Sequence, residues 1–333
     1  MNRIRWGIIG CGDVTEKKSG PGFQKARGSE LVAVMRRNRE KAADYARRHG
    51  VPRWYDDADS LINDGEVDAV YIATHPDSHR EYALRTIAAG KPVYIEKPMG
   101  FDRLQGEEIV AAGRDAGVPV FVAYYRRAME KYVHVRKLLR EGTIGDVRFV
   151  RVLVHQRPMV ASDSGSGSAS GDANLPWRLR RELSGGGLIM DVGSHGLDLL
   201  DFYLGPIAAV DGFAGNLGNV APVEDTVCGA WVFESGVHGS GVWCFSSFKD
   251  EDSIEIVGSH GRITFSVLDV PSPVVLETDR GEEVLQFEPP EHVQQPLIQT
   301  VVDELLGQGT CPSTGESAAR TDLVLSRLRE ATA

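Results

Sequence analysis

The sequence predicts an α/β chain of two domains, a doubly wound parallel sheet followed by a mainly antiparallel one, and three observations predict it. The 333 residues exceed what one hydrophobic core usually organises. From Ile4 to about 125, short apolar runs alternate with helical patterns, which is the rhythm of βαβ units. From 207 to 287 strand follows strand with turn residues between, which is the rhythm of an antiparallel sheet. Hydrophobic content of 42% and charged content of 25% suit a globular chain with a real core in each domain. The expected boundary separates 1–125 from 126–333.

The parallel strands are read from the apolar runs Ile4–Ile9, 31–35, 69–73, 92–95 and 118–123. Between them, Asn38 is suited to cap a helix through Glu40, Ala42, Ala43, Tyr45 and Ala46, with Gly50 where a left-handed C-terminal residue is wanted. The stretch 78–89 reads the same way, starting at Ser78 and stopping at Gly90. Past 125, a helix at about 128–141 leads into Val147–His155, whose residues alternate as a half-buried strand should. The segment 162–172 is rich in Ser and Gly without apolar anchors and reads as a mobile loop. A helical stretch follows at 187–204. The antiparallel strands come next, with turns at Ser235-Gly236 and His260-Gly261, and helices at 296–306 and 316–329 close the chain.

Charge and composition exclude some functions. A net charge of −10 argues against a nucleic-acid partner, which a basic patch would have to attract. The opening MNRIRWGIIG runs straight into a strand pattern with no signal-peptide succession, and no apolar run approaches a membrane span. A cytoplasmic protein with no membrane partner is the expectation. Cys11, Cys228, Cys244 and Cys311 lie far apart without metal-ligand spacing, so buried free thiols are expected and no metal.

Gly10-Cys11-Gly12-Asp13-Val14-Thr15 follows the first strand and opens a helical segment. The first glycine permits a tight turn, and the second removes the side chain that would block a pyrophosphate from the backbone. The third glycine of the general dinucleotide pattern is Thr15 here, so the fingerprint is incomplete. The acid that normally ends the second strand and bonds the ribose is absent too, since Met35 and Arg36 fill that place. Arg36 and Arg37 suit a 2′-phosphate, which favours NADP(H). Either arginine can equally be a solvated surface residue, and NAD(H) stays open.

Two further segments carry chemistry. Glu96-Lys97-Pro98 ends the fourth parallel run, at the carboxyl end where ligands of open α/β sheets collect. Lys97 there can hold a substrate oxygen. In 185–198, Asp191 and His195 are four apart, so on a helix they share a face, with Asp198 one turn further. A carboxylate beside an imidazole can fix its tautomer for proton transfer, although such pairs also simply stabilise helices.

Taken together, Gly10-Cys11-Gly12, Ala73-Thr74, Glu96-Lys97-Pro98, Trp177-Arg178 and Gly186-Gly187 with Asp191, Gly193, His195 and Asp198 resemble the glucose–fructose oxidoreductase, inositol dehydrogenase and MocA family (Gfo/Idh/MocA). The resemblance spans nearly the whole chain. It implies an N-terminal Rossmann domain, doubly wound around a parallel sheet, and a C-terminal α/β domain with a large, mainly antiparallel open sheet. It also implies Lys97 and His195 as the catalytic pair, with Asp191 assisting. The expected cofactor contacts are Gly10, Cys11, Gly12, Asp13, Val14, Arg36, Arg37, Thr74, His79, Glu96 and Lys97. Tyr125, Arg126, Trp177, Arg178 and His195 are expected at the substrate, with His155 a lesser candidate. Tyr124-Tyr125-Arg126-Arg127 stands where relatives often show an Asn-Arg pair, and some relatives carry tyrosine in place of His195.

The expected reaction is hydride transfer between a nicotinamide and a secondary alcohol or carbonyl of a sugar, polyol or related cyclic small-molecule substrate. A homodimer or homotetramer joined through the C-terminal sheet is the expected assembly. One rival reading is a nicotinamide-dependent glycoside hydrolase of the same fold, which would not release reduced cofactor. The other is a non-catalytic NAD(P)-sensing regulator, which would have lost Lys97, Asp191 and His195.

Overall fold

A computed structural model describes residues 2–159 and 175–330; the 162–172 segment read as a mobile loop lies outside the described residues. In chain order the first elements are β1 (Ile4–Ile9), α1 (Asp13–Lys17), α2 (Gly20–Lys25), β2 (Ser29–Met35), α3 (Arg39–His49), β3 (Arg53–Tyr55) and α4 (Ala58–Ile62). Then come β4 (Ala69–Ile72), α5 (His79–Ala88), β5 (Val93–Ile95), α6 (Arg103–Ala116), β6 (Val120–Val122), α7 (Glu130–Arg140) and β7 (Val147–His155). They are followed by α8 (Arg181–Ser184), α9 (Ser194–Leu204), β8 (Ile207–Gly215), β9 (Thr226–Phe233), β10 (His238–Cys244), β11 (Glu251–Gly258) and β12 (Gly261–Phe265). The chain closes with β13 (Val274–Thr278), β14 (Gly281–Leu285), α10 (Gln295–Leu305) and α11 (Gly315–Glu330). It divides into two compact units, Met1–Met129 with Pro290–Ala319, and Glu130–Pro289 with Arg320–Ala333.

In the first unit the described residues form a six-stranded sheet, ordered β3-β2-β1-β4-β5-β6, with every neighbour parallel. The central strands are buried along nearly their whole length, as parallel strands covered on both faces must be. One face packs Ile9, Val32, Ile72, Ile95 and Val122 against Leu61, Ile87, Ile109 and Ala318. The other carries an aromatic cluster in which Trp6 and Phe23 centroids lie 4.9 Å apart and Phe23 and Tyr71 5.1 Å. The helix ends obey local chemistry. Asn38 accepts the Lys41 amide at 2.9 Å, and Gly50 closes α3 at φ 65°. Ser78 does not cap α5, because its hydroxyl turns back to Thr74 Oγ1 at 2.8 Å and a short 3-10 turn, Pro76–Ser78, precedes the helix. Strand β3 was not read from the sequence: three half-buried residues at a sheet edge are too few to show a period.

In the second unit the described residues form an eight-stranded sheet, ordered β14-β13-β12-β11-β7-β10-β9-β8, antiparallel throughout except for β7 beside β10. Val150, Val152, Trp243, Ile254, Ile256 and Phe265 point to the buried face. There Tyr132 of α7 and Tyr203 of α9 set their rings 6.2 Å and 6.0 Å from Phe265, and Gly196 comes close to Ile254. The opposite face presents Phe149, Phe213, Val242 and Val284 to solvent. Cys228 and Cys244 are half-buried on these strands, whereas Cys11 and Cys311 are buried as expected, and all four are free thiols. Burial pushes the Cys11 and Cys311 thiols up to about 11, so neither is a nucleophile at neutral pH.

Among the described residues no helix is long and apolar enough to cross a membrane, and no group of three or more His, Cys, Asp or Glu is placed to hold a metal ion.

Trp243 is fully buried at the centre of the second unit's core. Trp243→Ala should destabilise that unit by about 3–5 kcal/mol, the usual cost of truncating a buried aromatic; urea unfolding checks this, and a loss below about 1 kcal/mol would contradict the packing described.

Candidate active site

In the first unit the carboxyl ends of the strands gather the chemistry-bearing segments. The chain runs from β1 to β2 and β3 on one side, then crosses to β4 on the other side of β1, and an open parallel sheet has a crevice where its strand order reverses in this way. Gly10–Val14 follows β1, Arg36 and Arg37 follow β2, Thr74 follows β4, Glu96 and Lys97 follow β5, and Tyr125 and Arg126 follow β6.

The turn after β1 is pinned from below, where the Gly10 and Cys11 amides donate to the Met35 carbonyl at 2.9 and 3.2 Å. Gly10 has φ +92°, and a Cβ there would lie 2.7 Å from Thr74 Cγ2 and 3.0 Å from the Ala73 carbonyl oxygen. The fold itself therefore demands glycine at this position. Thr15, in the third-glycine place, is fully buried and bonds the Gly12 carbonyl through its hydroxyl at 2.7 Å. The incomplete fingerprint thus closes its turn with a side-chain hydrogen bond. The helix it opens, α1, is only five residues long. Arg36 is half-buried and donates from Nη1 to the Cys11 carbonyl at 3.3 Å, while Arg37 is exposed.

Glu96 is 8% exposed and accepts three hydrogen bonds. The Tyr71 hydroxyl donates to Oε1 at 2.5 Å, the Gln294 amide to the same oxygen at 2.7 Å, and the Lys97 backbone N–H to Oε2 at 3.2 Å. Lys97 itself is half-buried. His79 lies fully buried beneath these loops, with Nδ1 2.9 Å from the Pro98 carbonyl oxygen and Nε2 3.0 Å from that of Thr74. It joins the loop after β4 to the loop after β5. Burial pulls its pKa below the ordinary histidine value, outweighing the two carbonyls that favour the charged form. Arg126 is buried and sets its guanidinium 4.9 Å from the Tyr125 ring centre.

In the second unit Arg178 links two expected site residues. Its guanidinium lies over the Trp177 ring at 4.6 Å, and its Nε donates to Asp191 Oδ2 at 2.5 Å. The expected continuous helix over 187–204 is not what forms. Ile189–Gly193 make a π turn, and α9 starts at Ser194. The wider turn accommodates one extra residue, with Asp191 inside it and His195 in the first turn of α9. Gly193 permits this turn to pack, since a Cβ there would meet Ile189 Cδ1 at 2.4 Å and Trp243 Nε1 at 3.4 Å. His195 and Asp198 are both buried on α9. His155 sits half-buried at the end of β7, in register with Cys244 and Glu251.

The glycines ahead of the π turn are also accounted for. Gly185 and Gly187 have φ 78° and 72°. Gly186 lies against the Arg329 guanidinium, where a Cβ would be 2.1 Å from Cζ. Glu224 receives Arg181 at 3.1 Å and Arg329 at 3.5 Å; burial raises its pKa, but the two guanidinium groups reverse that and hold it below the usual range.

Two residues of this architecture escaped the sequence reading. Tyr71 lies inside a strand, and Gln294 is 198 positions from Glu96. Only the unusual choice of glutamine at the N-cap of α10, which makes no side-chain capping bond, hinted at another task for it.

Comparison with known proteins agrees with this architecture. Residues 4–124 match the family model described as an oxidoreductase family with an NAD-binding Rossmann fold, and 132–264 match the GFO/IDH/MocA C-terminal domain. A relative from Formosa agariphila named Oxidoreductase P35 is 39% identical over 318 residues, 96% of each chain. The 1,5-anhydro-D-fructose reductase of Ensifer adhaerens is 30% identical, covering 94% of this chain and 91% of its own. The crystal structure of aldose-aldose oxidoreductase from Caulobacter crescentus superposes with a TM-score of 0.85 at 23% identity, over 98% of this chain and 96% of that one. The chain belongs to the GFO/IDH/MocA family of NAD-binding oxidoreductases.

Because folding depresses the pKa of His79, its contribution to stability is present above the unfolded value near 6.5 and is lost as pH falls below it. His79→Gln keeps a donor but cannot titrate. The wild-type advantage in Tm over His79→Gln should be largest above pH 7 and shrink toward pH 5; an advantage that grows on acidification would contradict the assignment.

Proposed function

We propose that this oxidoreductase moves a hydride reversibly between a nicotinamide and a secondary alcohol or carbonyl carbon of a sugar, polyol or related cyclic substrate. One observation carries the cofactor part of this reading: the two glycines of the first turn are not needed for the same reason. Gly10 is forced by the backbone, but Gly12 has φ −136°, and a Cβ on it would meet nothing nearer than the Gly10 carbonyl oxygen at 3.8 Å. A Cβ at Gly12 would meet no clash in the free protein. It would obstruct a pyrophosphate lying against the turn.

When bound, the nicotinamide cofactor supplies or accepts the hydride. The chain's own groups do the rest. Gly10, Cys11, Gly12, Asp13 and Val14 offer bare backbone to the phosphates, with Thr74 beside them. Arg36 and Arg37 favour the 2′-phosphate of NADP(H) over NAD(H). Lys97 donates a hydrogen bond to the substrate oxygen and offsets the negative charge gathering there. His195 takes the hydroxyl proton in oxidation and returns it in reduction. Asp191, ion-paired to Arg178, assists by holding the approach to His195. Trp177, Arg178, Tyr125 and Arg126 supply substrate contacts. The relative named as an anhydrofructose reductase supports a sugar-derived substrate.

We further propose that two copies pair through the open face of the eight-stranded sheet. That face exposes Phe149, Phe213 and Val242 and holds a hollow of about 460 Å³ between Arg151, Asp211, Phe213, Cys228 and Val242. An apolar patch of this kind on a sheet calls for a partner surface.

Titration with NADPH and NADH, followed by a panel of 1,5-anhydro-D-fructose, sugars, inositols and dicarbonyls, tests the reaction. Lys97→Ala and His195→Ala should each lower kcat by about 10²–10⁴; unchanged turnover in both would overturn the roles. Arg36→Ala with Arg37→Ala should weaken NADPH at least about tenfold and leave NADH within about twofold, whereas equal losses would remove the case for NADP(H). Phe213→Glu should halve the mass seen by light scattering, and an unchanged oligomer would exclude this sheet face as the interface.

A further inference from the structure

Gln294 occupies the N-cap of α10, a place where short oxygen-bearing side chains earn their preference by accepting an amide of the first turn. Its side chain does nothing of the kind. It is 1% exposed and donates from Nε2 to Glu96 Oε1 at 2.7 Å, beside the Tyr71 hydroxyl that donates to the same oxygen. The other Glu96 oxygen receives the backbone N–H of Lys97. The carboxylate is thus fixed on one side by two buried donors and on the other holds the peptide from which the Lys97 side chain departs. Tyr71 is a dependable donor, because burial and the neighbouring Glu96 charge push its pKa well above the ordinary value. The segment carrying Gln294 is itself anchored to the ends of α1 and α2. His292 Nδ1 lies 2.9 Å from the Lys17 carbonyl oxygen at the end of α1, and Glu291 pairs with Lys25 at 2.7 Å.

We infer that Gln294 is a positioning residue for Lys97, acting through Glu96 and sharing that task with Tyr71. The inference rests on the reading of Lys97 as catalytic and adds a residue remote in sequence to its machinery. A buried carboxylate that loses a donor is free to rotate or to seek another partner, and Lys97 loses its backbone anchor with it. The cofactor-side turn at Gly10–Val14 does not depend on this hydrogen bond, so cofactor affinity and turnover should respond differently.

The test uses the full chain and the variants Gln294→Met, which keeps the volume and removes the donor, Tyr71→Phe, Glu96→Gln and the double variant Gln294→Met with Glu96→Gln. With ¹⁵N-lysine labelling, and the Lys97 amide assigned from Lys97→Arg, hydrogen exchange at that amide should quicken about tenfold or more in Gln294→Met, the scale of a lost hydrogen bond to a charged group. The NADPH dissociation constant should change less than turnover, since only Glu96 and Lys97 among the expected cofactor contacts belong to this network. Turnover of 1,5-anhydro-D-fructose, or of whichever panel substrate is used, should fall about tenfold at little-changed KM. In the Glu96→Gln background Gln294→Met should add little, because the two changes break one network. Unchanged exchange at the Lys97 amide, or an effect of Gln294→Met that persists in full beside Glu96→Gln, would overturn the inference. Lys97→Ala separates the two readings: full turnover there would end the catalytic role of Lys97 while leaving the amide measurement to judge the network.

Discussion

The parallel pairing of β1 with β2 on one side and β4 on the other is the constraint on which the rest of the first unit depends. Since strands on either side of that pair run the same way and their connections leave in opposite directions, no crossover covers the carboxyl ends of β1 and β4. Backbone amides and short loops are left there at a bare edge. Most of the expected cofactor contacts come to that edge because they follow β1, β2, β4 or β5 directly, whereas His79 lies beneath it at the start of α5. Their proximity is a product of topology rather than of any attraction between them. His79 then ties the loop after β4 to the loop after β5, and Glu96 is held from beneath by Tyr71 and Gln294, so hydrogen bonds brace the edge at these loops.

The second unit meets a different constraint. Its sheet is wide, and the described helices that pack on it cover one face. The segment ahead of His195 uses glycines at close approaches: Gly186 lies on the Arg329 guanidinium, and Gly193 fits against Ile189 and Trp243. The π turn between them is a local departure from regular helix of the kind that often accompanies function. It sets Asp191 where Arg178 can reach it. The uncovered face, with Phe213 two-thirds exposed, is the counterpart of that one-sided covering.

Much of this was legible in the sequence because it is local. Asn38 and Gly50 marked both ends of α3, the continuous apolar runs marked buried parallel strands, and the alternation in Val147–His155 marked a strand with one wet face. The glycine turn was legible as a turn, though the way Thr15 closes it was not, since a hydroxyl bonding back three residues leaves no periodic trace. What escaped was non-local or irregular. The π turn looks like ordinary helix to any pattern based on a 3.6-residue repeat. Ser78 looks like a cap until Thr74 is seen to take its hydroxyl. Gln294 reads as a polar residue at a helix start, and only the return of Pro290–Ala319 to the first unit brings it to Glu96.

If the turn after β1 is shaped for a dinucleotide and not merely for folding, Gly12 is the residue that shows it. Calorimetric titration of NADPH into Gly12→Val, beside a thermal melt of the same variant, measures it most directly. Tm should be almost unchanged, since a Cβ at this position has no near neighbour, while measurable NADPH binding should be lost. A variant that melts normally and still binds NADPH as the parent chain does would contradict it.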